Sequence, residues 1–153
     1  EYATPAWNPH TDKNVKEIES VQRRAARYVT GNYSQYSSVS AMIKKLRWDS
    51  LEIRRTMASL VLFYKIHHGL VYMSLPSSVV PKRCTRSTSG HPFQYIPLHS
   101  VKDSYRYSFF VRTIPLWNSL SLESVMAEDV SKFRSVSHPQ LFSLKTTIGC
   151  KRI

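Results

Sequence analysis

The chain has 153 residues, of which 22 are Lys or Arg and 10 are Asp or Glu, so its formal net charge at pH 7 is +12. Hydrophobic residues make up 42% of the sequence, which is enough for a core and excludes wholesale disorder. The apolar runs are far shorter than the about 20 residues that span a bilayer. The charge is spread along the chain, which indicates a basic surface with nucleic acid, an anionic membrane or an acidic protein as candidate partner.

The N-terminal segment, residues 1–10, is aromatic and rich in proline and predicts an extended chain. It has neither the basic nor the apolar region of a signal peptide. It also lacks an initiator Met, so we expect a piece of a longer protein. Because a secretory signal is missing, we expect an intracellular location, nuclear or cytoplasmic. Two cysteines, Cys84 and Cys150, cannot build a disulfide framework, and we expect free thiols.

Three helices are predicted over residues 12–30, 38–47 and 50–68. The first closes at Gly31, because glycine adopts the left-handed C-cap conformation without strain. Asp49 and Glu52 have the spacing of an N-cap and its partner at the start of the third helix. That helix is apolar almost all round from Met57 to Ile66, which predicts the centre of the core. Helical spacing predicts an inward face on the first helix, formed by Val15, Ile18, Gln22, Ala25 and Val29.

The second half of the chain has weaker patterns. Residues 70–104 predict an irregular, basic connection rich in Pro and Ser. Residues 105–112 alternate between apolar and polar, which predicts a short strand or hairpin that ends at Pro115. A late helix is predicted over 129–136, stopped before Pro139, with an unpatterned tail after it. The expected fold is mainly α: a three-helix bundle in residues 1–69, the connection 70–104, and a strand, late helix and tail in 105–153.

No residue pattern indicates a self-contained enzyme. A two-metal site needs converging carboxylates, but the four aspartates are scattered. The chain has no Cys-x-x-Cys zinc pair, no Gly-x-Ser-x-Gly nucleophile turn and no Gly-rich phosphate loop. His67 and His68 are adjacent, so they cannot readily chelate one ion, and a charge at a helix C-terminus is their simpler role. We therefore expect no catalytic residue, no metal and no small-molecule substrate, and a free-standing hydrolase is the weakest hypothesis.

A stripe of bases on the first helix is the main candidate site. Lys16, Ser20, Arg23 and Arg27 recur at i, i+4, i+7 and i+11, a spacing that can follow a phosphate backbone. The alternative is an ordinary solvated helix face, because Glu17 and Glu19 dilute the charge. The candidate phosphate contacts are Lys16, Arg23, Arg24, Arg27, Arg54 and Arg55.

A second candidate lies in the alternating segment. Arg106 and Arg112 are interleaved with Tyr105, Tyr107 and Phe110, a combination that suits stacked single-stranded bases. The alternative, which the alternation favours, is that these aromatic residues belong to the core.

Several strings resemble the region that follows the catalytic palm in non-LTR, LINE-type retrotransposon reverse transcriptases. EYATPAWNP at 1–9 resembles LEYASPVWNP, and IESVQRRAARYV at 18–29 resembles LESVQRRAARFV. WDSLEIRR at 48–55 is similar to W-x-SLEERR, and LFYKIHHGL at 62–70 to LMYKIVHGL. YSFFVRTIPLWNSL at 107–120 is similar to YSFFPRTIPDWNSL. The chain departs from the family at Val111 and Ser121, where Pro is usual, and the similarity fades past residue 134.

The resemblance implies the thumb and post-thumb region of an RNA-directed DNA polymerase, which helps to grip an RNA or RNA/DNA duplex. The family's Asp-Asp catalytic box is missing, so this chain alone is not expected to be an enzyme. The resemblance places two Mg ions in the missing palm and none here, and it implies the parent's palm and fingers as partners, with no membrane. The alternative function is a basic helical module that binds an acidic protein.

Overall fold

A computed structural model of the chain describes residues 3–83 and 90–148, and within these ranges it has helices and no β-strand. The mainly α fold class is confirmed. The structure has one isolated antiparallel bridge, between Pro81 and Tyr95. The helices are α1 Thr4–Trp7, α2 Asp12–Thr30, α3 Val39–Lys45, α4 Leu51–His67, α5 Asp103–Arg106, α6 Phe109–Asn118, α7 Leu122–Val125 and α8 Val130–Ile148.

The three helices predicted in the first half are present as α2, α3 and α4. The Thr11 side chain caps α2 by accepting from the Asn14 amide at 3.4 Å, and Gly31 ends it at a φ of 62°. Asp49 as the cap of α4 is wrong by one residue, because the Ser50 hydroxyl accepts from the Ile53 amide at 3.3 Å. Asp49 is thereby available for contacts with other helices.

The prediction of an extended N-terminal segment is only partly correct, because Thr4–Trp7 form the short helix α1. Pro5 is favourable in a first helical turn, where its missing N–H costs nothing. The Arg112 guanidinium of α6 donates to the carbonyls of Pro5 and Asn8, at 3.2 and 3.3 Å. These bonds satisfy carbonyls that have no partner at the end of so short a helix.

Helix α4 is the centre of the core, and this prediction is confirmed. The Phe63 ring lies 4.9 Å from that of Trp117 in α6, and the Tyr64 ring stacks on Phe133 of α8 at 4.5 Å. The Tyr64 hydroxyl donates to the Ala127 carbonyl at 2.6 Å, which satisfies the polar end of a buried side chain. The described core cluster is formed by α4, α6, α7, α8 and the segments between them, and it takes no residue from α2 or α3.

The predicted strand over 105–112 is wrong, because α5 and α6 cover most of these residues. Phe110, Ile114 and Trp117 also recur at i, i+4 and i+7, which is the spacing of one helix face. Ile114 and Trp117 are fully buried in the core cluster, so packing favours the helical spacing over the short alternation. Pro115 lies inside α6 on its exposed side and does not end the element.

The prediction that the late helix stops before Pro139 is wrong, because α8 continues to Ile148. A proline inside a helix removes one hydrogen bond and crowds the preceding turn. Phe133, Ser137 and Leu141 on the flanking turns are all buried. Their packing holds both halves of α8 in one helix in spite of the proline.

The connection 70–104 is irregular where the structure describes it, as predicted, but part of it is firmly held by α6. The Trp117 indole donates to the Phe93 carbonyl at 2.9 Å. The Asn118 amide pairs with both backbone groups of Tyr95, at 2.9 and 2.7 Å. Lys82 and Arg83 are exposed, as expected of a basic connection. Cys84, Cys150 and Arg86 lie outside the described residues.

The prediction that His67 serves as a charge at the helix C-terminus is wrong, because the side chain is half-buried. Its Nδ1 lies 2.8 Å from the Tyr95 hydroxyl, and its ring is 5.1 Å from that of Trp117. Burial lowers the pKa of His67 below its ordinary value, and the nearby His68 and His91 lower it further. The neutral form of His67 is therefore the one that the folded chain stabilises.

The unfolded chain binds a proton at His67 more tightly than the folded chain does, so acid favours unfolding. We expect the free energy of unfolding to fall as the pH drops below about 6.5, the ordinary pKa of a histidine in an unfolded chain. His67→Gln, which cannot titrate, should reduce this slope in urea unfolding followed by circular dichroism. An equal slope in wild type and His67→Gln would contradict the assignment of this pH dependence to His67.

Candidate nucleic-acid interface

The surface of α2 is divided into three faces around its axis. Successive residues are about 100° apart, and the face toward α3 and α4 holds the buried Gln22 and Ala26. A second face carries the basic stripe, formed by Lys16, Arg23 and Arg27 with Lys13 and Arg24 at its edges. The third face is apolar and exposed, and consists of Val21, Ala25, Tyr28 and Val29.

The predicted inward face of α2 is therefore only partly correct. Gln22 is buried, and Val15 and Ile18 are partly buried, but Ala25 and Val29 are exposed. Val29 keeps 57% of its accessible surface. The physical reason is that α3 and α4 cover one side of α2 only and no other described helix packs on it closely. Helical periodicity identified an apolar face but could not tell that half of it has no neighbour.

The basic stripe lies at the surface. Lys16, Arg23 and Arg24 are exposed, and within the described ranges none of them has a carboxylate within 4.0 Å. Arg27 is partly exposed and donates to the Ser34 carbonyl at 3.0 Å. Of the two acids expected to dilute the stripe, Glu17 is exposed, whereas the Glu19 carboxylate contacts Arg55 and the Glu52 amide, so the stripe is more positive than the sequence suggests.

The two arginines of α4 do not have the same surroundings. Arg54 is exposed at the surface. Arg55 is only 2% exposed, so it leaves the set of candidate phosphate contacts. Its Nε donates to the Asn8 side chain at 3.0 Å, and its guanidinium lies 4.0 Å from the Glu19 carboxylate. Adjacent arginines in a helix point about 100° apart, and sequence alone did not show which of the two faces inward.

A group of polar contacts around Arg55, here called the Arg55 junction, positions α2. Besides Asn8 and Arg55 it includes Glu19, whose carboxylate accepts from the Glu52 amide at 3.0 Å. It also includes Gln22, whose amide donates to the Asp49 carbonyl at 2.7 Å. A second contact of Asp49 extends to α8, since its Oδ2 lies 2.8 Å from Nε2 of His138. The junction thus connects the N-terminal segment, α2 and the start of α4.

The aromatic candidate at 105–112 is mostly used by the fold. Phe110 packs against the core, and Arg112 holds the carbonyls around α1. Arg106 pairs with Asp103 at 4.0 Å. Tyr107 stacks on His10 with 4.0 Å between ring centroids, and Tyr105 is exposed. The interpretation of these aromatics as core residues is wrong for the two tyrosines, which remain at the surface.

Sequence reasoning missed one exposed aromatic site. Tyr28 and Tyr33 are 78% and 66% exposed and stand on the same side of α2 as its apolar face. Together they border an open groove of about 650 Å³, here called the tyrosine groove, lined by Val21, Arg24, Ala25, Arg27, Tyr28 and Tyr33. The sequence could have indicated Tyr28, because helical spacing places it beside the predicted inward face of α2. Tyr33 could not be found in this way, because it lies in a loop, where helical periodicity does not apply.

Two further features of the described chain bear on the class of site. No three His, Cys, Asp or Glu side chains in residues 3–83 and 90–148 are grouped as ligands for a metal ion. No helix in the same ranges combines the length and the hydrophobicity needed to cross a membrane.

In the comparisons with known proteins, no family model matches the chain, and no curated protein or solved structure matches it significantly.

The Arg55 junction should contribute strongly to stability. Arg55→Ala leaves Glu19 and Asn8 without their partner in a largely buried place, and we expect the free energy of unfolding to fall by about 3 kcal/mol. Urea unfolding followed by circular dichroism measures the change. Arg134→Ala, an exposed arginine on α8, should stay within about 0.5 kcal/mol of wild type. Equal effects of the two substitutions would show that the junction is not a stabilising element.

Proposed function

We propose that this chain is the nucleic-acid-gripping C-terminal region of a LINE-type retrotransposon RNA-directed DNA polymerase and that it lacks the catalytic palm. The observation that carries the gripping role is the basic stripe of α2, whose exposed Lys16, Arg23 and Arg24 have no acidic partner among the described residues. The sequence resemblance supports the polymerase family, the palm and fingers as partners and an RNA or RNA/DNA duplex as ligand. The two Mg ions of that chemistry belong to the palm.

The length of the stripe suits a nucleic-acid backbone. Lys16 and Arg27 are eleven residues apart on α2, which is about 17 Å along the helix axis. The phosphates of one duplex strand follow one another at only a few Å along its axis, so a stripe of this length faces several consecutive phosphates. A row of cations at this scale neutralises several phosphates and releases their counterions, which makes affinity depend on salt.

The position of α2 also favours this role. The helix is buried at Gln22 and Ala26 only, and the residues on its other faces are at least partly exposed, so one long side of it is free to face a ligand. Its 19 residues extend over about 28 Å, and the Arg55 junction fixes its direction. A rigid helix that presents unpaired cations loses little conformational freedom when it binds a backbone.

The alternative function, a basic module for an acidic protein partner, has less support from the structure than from the sequence. Its motivating segment, 105–117, contributes Phe110, Ile114 and Trp117 to the core region. Its remaining support is the exposed apolar face of α2. A partner that co-purifies after nuclease treatment would favour this alternative over nucleic-acid binding.

Removal of the stripe should weaken duplex binding. The triple variant Lys16→Gln, Arg23→Gln, Arg24→Gln removes three positive charges, and we expect the slope of log affinity against log salt to decrease by about 3. The measurement is fluorescence anisotropy of a labelled RNA/DNA hybrid between about 50 and 200 mM salt.

The matched control removes three charges elsewhere on the surface, with Lys102→Gln, Lys132→Gln and Arg134→Gln. Its net charge equals that of the stripe variant, so general electrostatic attraction is the same in both. If the control loses as much affinity as the stripe variant, or if wild-type affinity does not fall with salt, α2 is not the phosphate-binding surface.

A further inference from the structure

We propose that the tyrosine groove at the C-terminal end of α2 binds a single-stranded segment of nucleic acid, with bases stacked on Tyr28 and Tyr33 and the backbone on Arg24 and Arg27. The inference rests on the proposed function and adds a ligand class to it. It assigns the unpaired strand to a surface beside the stripe that holds the duplex backbone.

The first argument is that both tyrosine rings are available. Tyr28 and Tyr33 are strongly exposed, and neither makes a contact with another aromatic ring among the described residues. Base–aromatic stacking needs an open ring face and tolerates every base, since each base has a π-face. A base stacked on either tyrosine would cover a ring face that no described aromatic residue covers.

The second argument is that the loop carrying Tyr33 is held in place. Gly31 turns the chain at a φ of 62°, and the Asn32 side chain accepts from the Ser34 amide at 3.1 Å. The Arg27 guanidinium donates to the Ser34 carbonyl at 3.0 Å. These bonds fix the loop backbone and Arg27 against the end of α2, so the two tyrosines project from backbone positions that are set before a ligand arrives.

The third argument is charge complementarity. The charged side chains of the groove, Arg24 and Arg27, are both positive, and no carboxylate lines it. The remaining lining is short, from Val21 and Ala25, so the groove is shallow and its large contact surfaces are the two tyrosines. An amphipathic peptide needs pockets for Leu-sized anchors, whereas flat rings beside guanidinium groups suit bases and phosphates. Arg24 and Arg27 also belong to the basic stripe, so one strand can continue from one surface to the other.

The test compares a labelled oligothymidylate with an abasic strand of the same length, using the full chain. We expect wild type to bind the base-bearing strand at least about fivefold more tightly, the lower bound for one stacked base. The double variant Tyr28→Ala, Tyr33→Ala should lose this difference and keep its affinity for an RNA/DNA hybrid. Tyr28→Phe with Tyr33→Phe should preserve it, because the ring remains. The control is Tyr72→Ala, which removes an exposed tyrosine that follows the C-terminal end of α4, and it should behave as wild type.

The outcomes separate this inference from the proposed function. If wild type binds the hybrid but does not distinguish the base-bearing from the abasic strand, the groove proposal is wrong and the phosphate grip stands. If wild type binds neither hybrid nor single strand, the proposed function itself fails. If the double alanine variant keeps its preference for the base-bearing strand but loses binding of a Glu-rich amphipathic peptide, the groove is a protein site and the proposal is overturned.

Discussion

The proposed interface lies on α2, and the position of α2 depends on the polar contacts of the buried Arg55 guanidinium. A charge with 2% exposure is costly unless it is paired and hydrogen-bonded. Here its Nε donates to Asn8 and its Nη2 lies 4.0 Å from the Glu19 carboxylate, two partners from different segments, while its Nη1 is buried without a hydrogen-bond partner among the described residues. Helix α2 buries Ala26 on its side toward α3 and α4 but adds no residue to the described core cluster, so little apolar packing holds its direction. Polar contacts are directional, so the Arg55 junction constrains the orientation of α2 more than apolar packing would.

This division between an apolar core and a polar junction explains the unusual surface of α2. A helix packed on two sides would bury Ala25 and Val29, as its periodicity predicts, and would cover Tyr28 beside them. Packed on one side only, it leaves an apolar and aromatic face open beside a row of cations. Both proposals use this arrangement: the cations contact phosphates, and the aromatic rings contact the bases that a duplex would hide.

The helices of the first half and the central place of α4 could be predicted from the sequence, because caps and periodicity act locally. Other features depend on distant partners. The spacing of Phe110, Ile114 and Trp117 competes with an alternation that is equally visible until the core is known. Pro139 would end an isolated helix, but burial of the turns on both sides overrides it. The identity of the buried arginine, Arg55 and not Arg54, is set by Asn8, which lies 47 residues away in the chain.

The structure also separates residues that hold the fold from residues that can meet a ligand. Lys16, Arg23 and Arg24 make no ion pair with another described residue, so their loss should cost the fold little and any effect on binding is direct. Gln22 is the opposite case, since it is buried and bonded to the Asp49 carbonyl. A substitution there touches no ligand, yet it loosens the helix that carries every proposed contact. Weaker binding by such a variant, with the salt slope unchanged, would therefore indicate lost preorganisation and not lost charge.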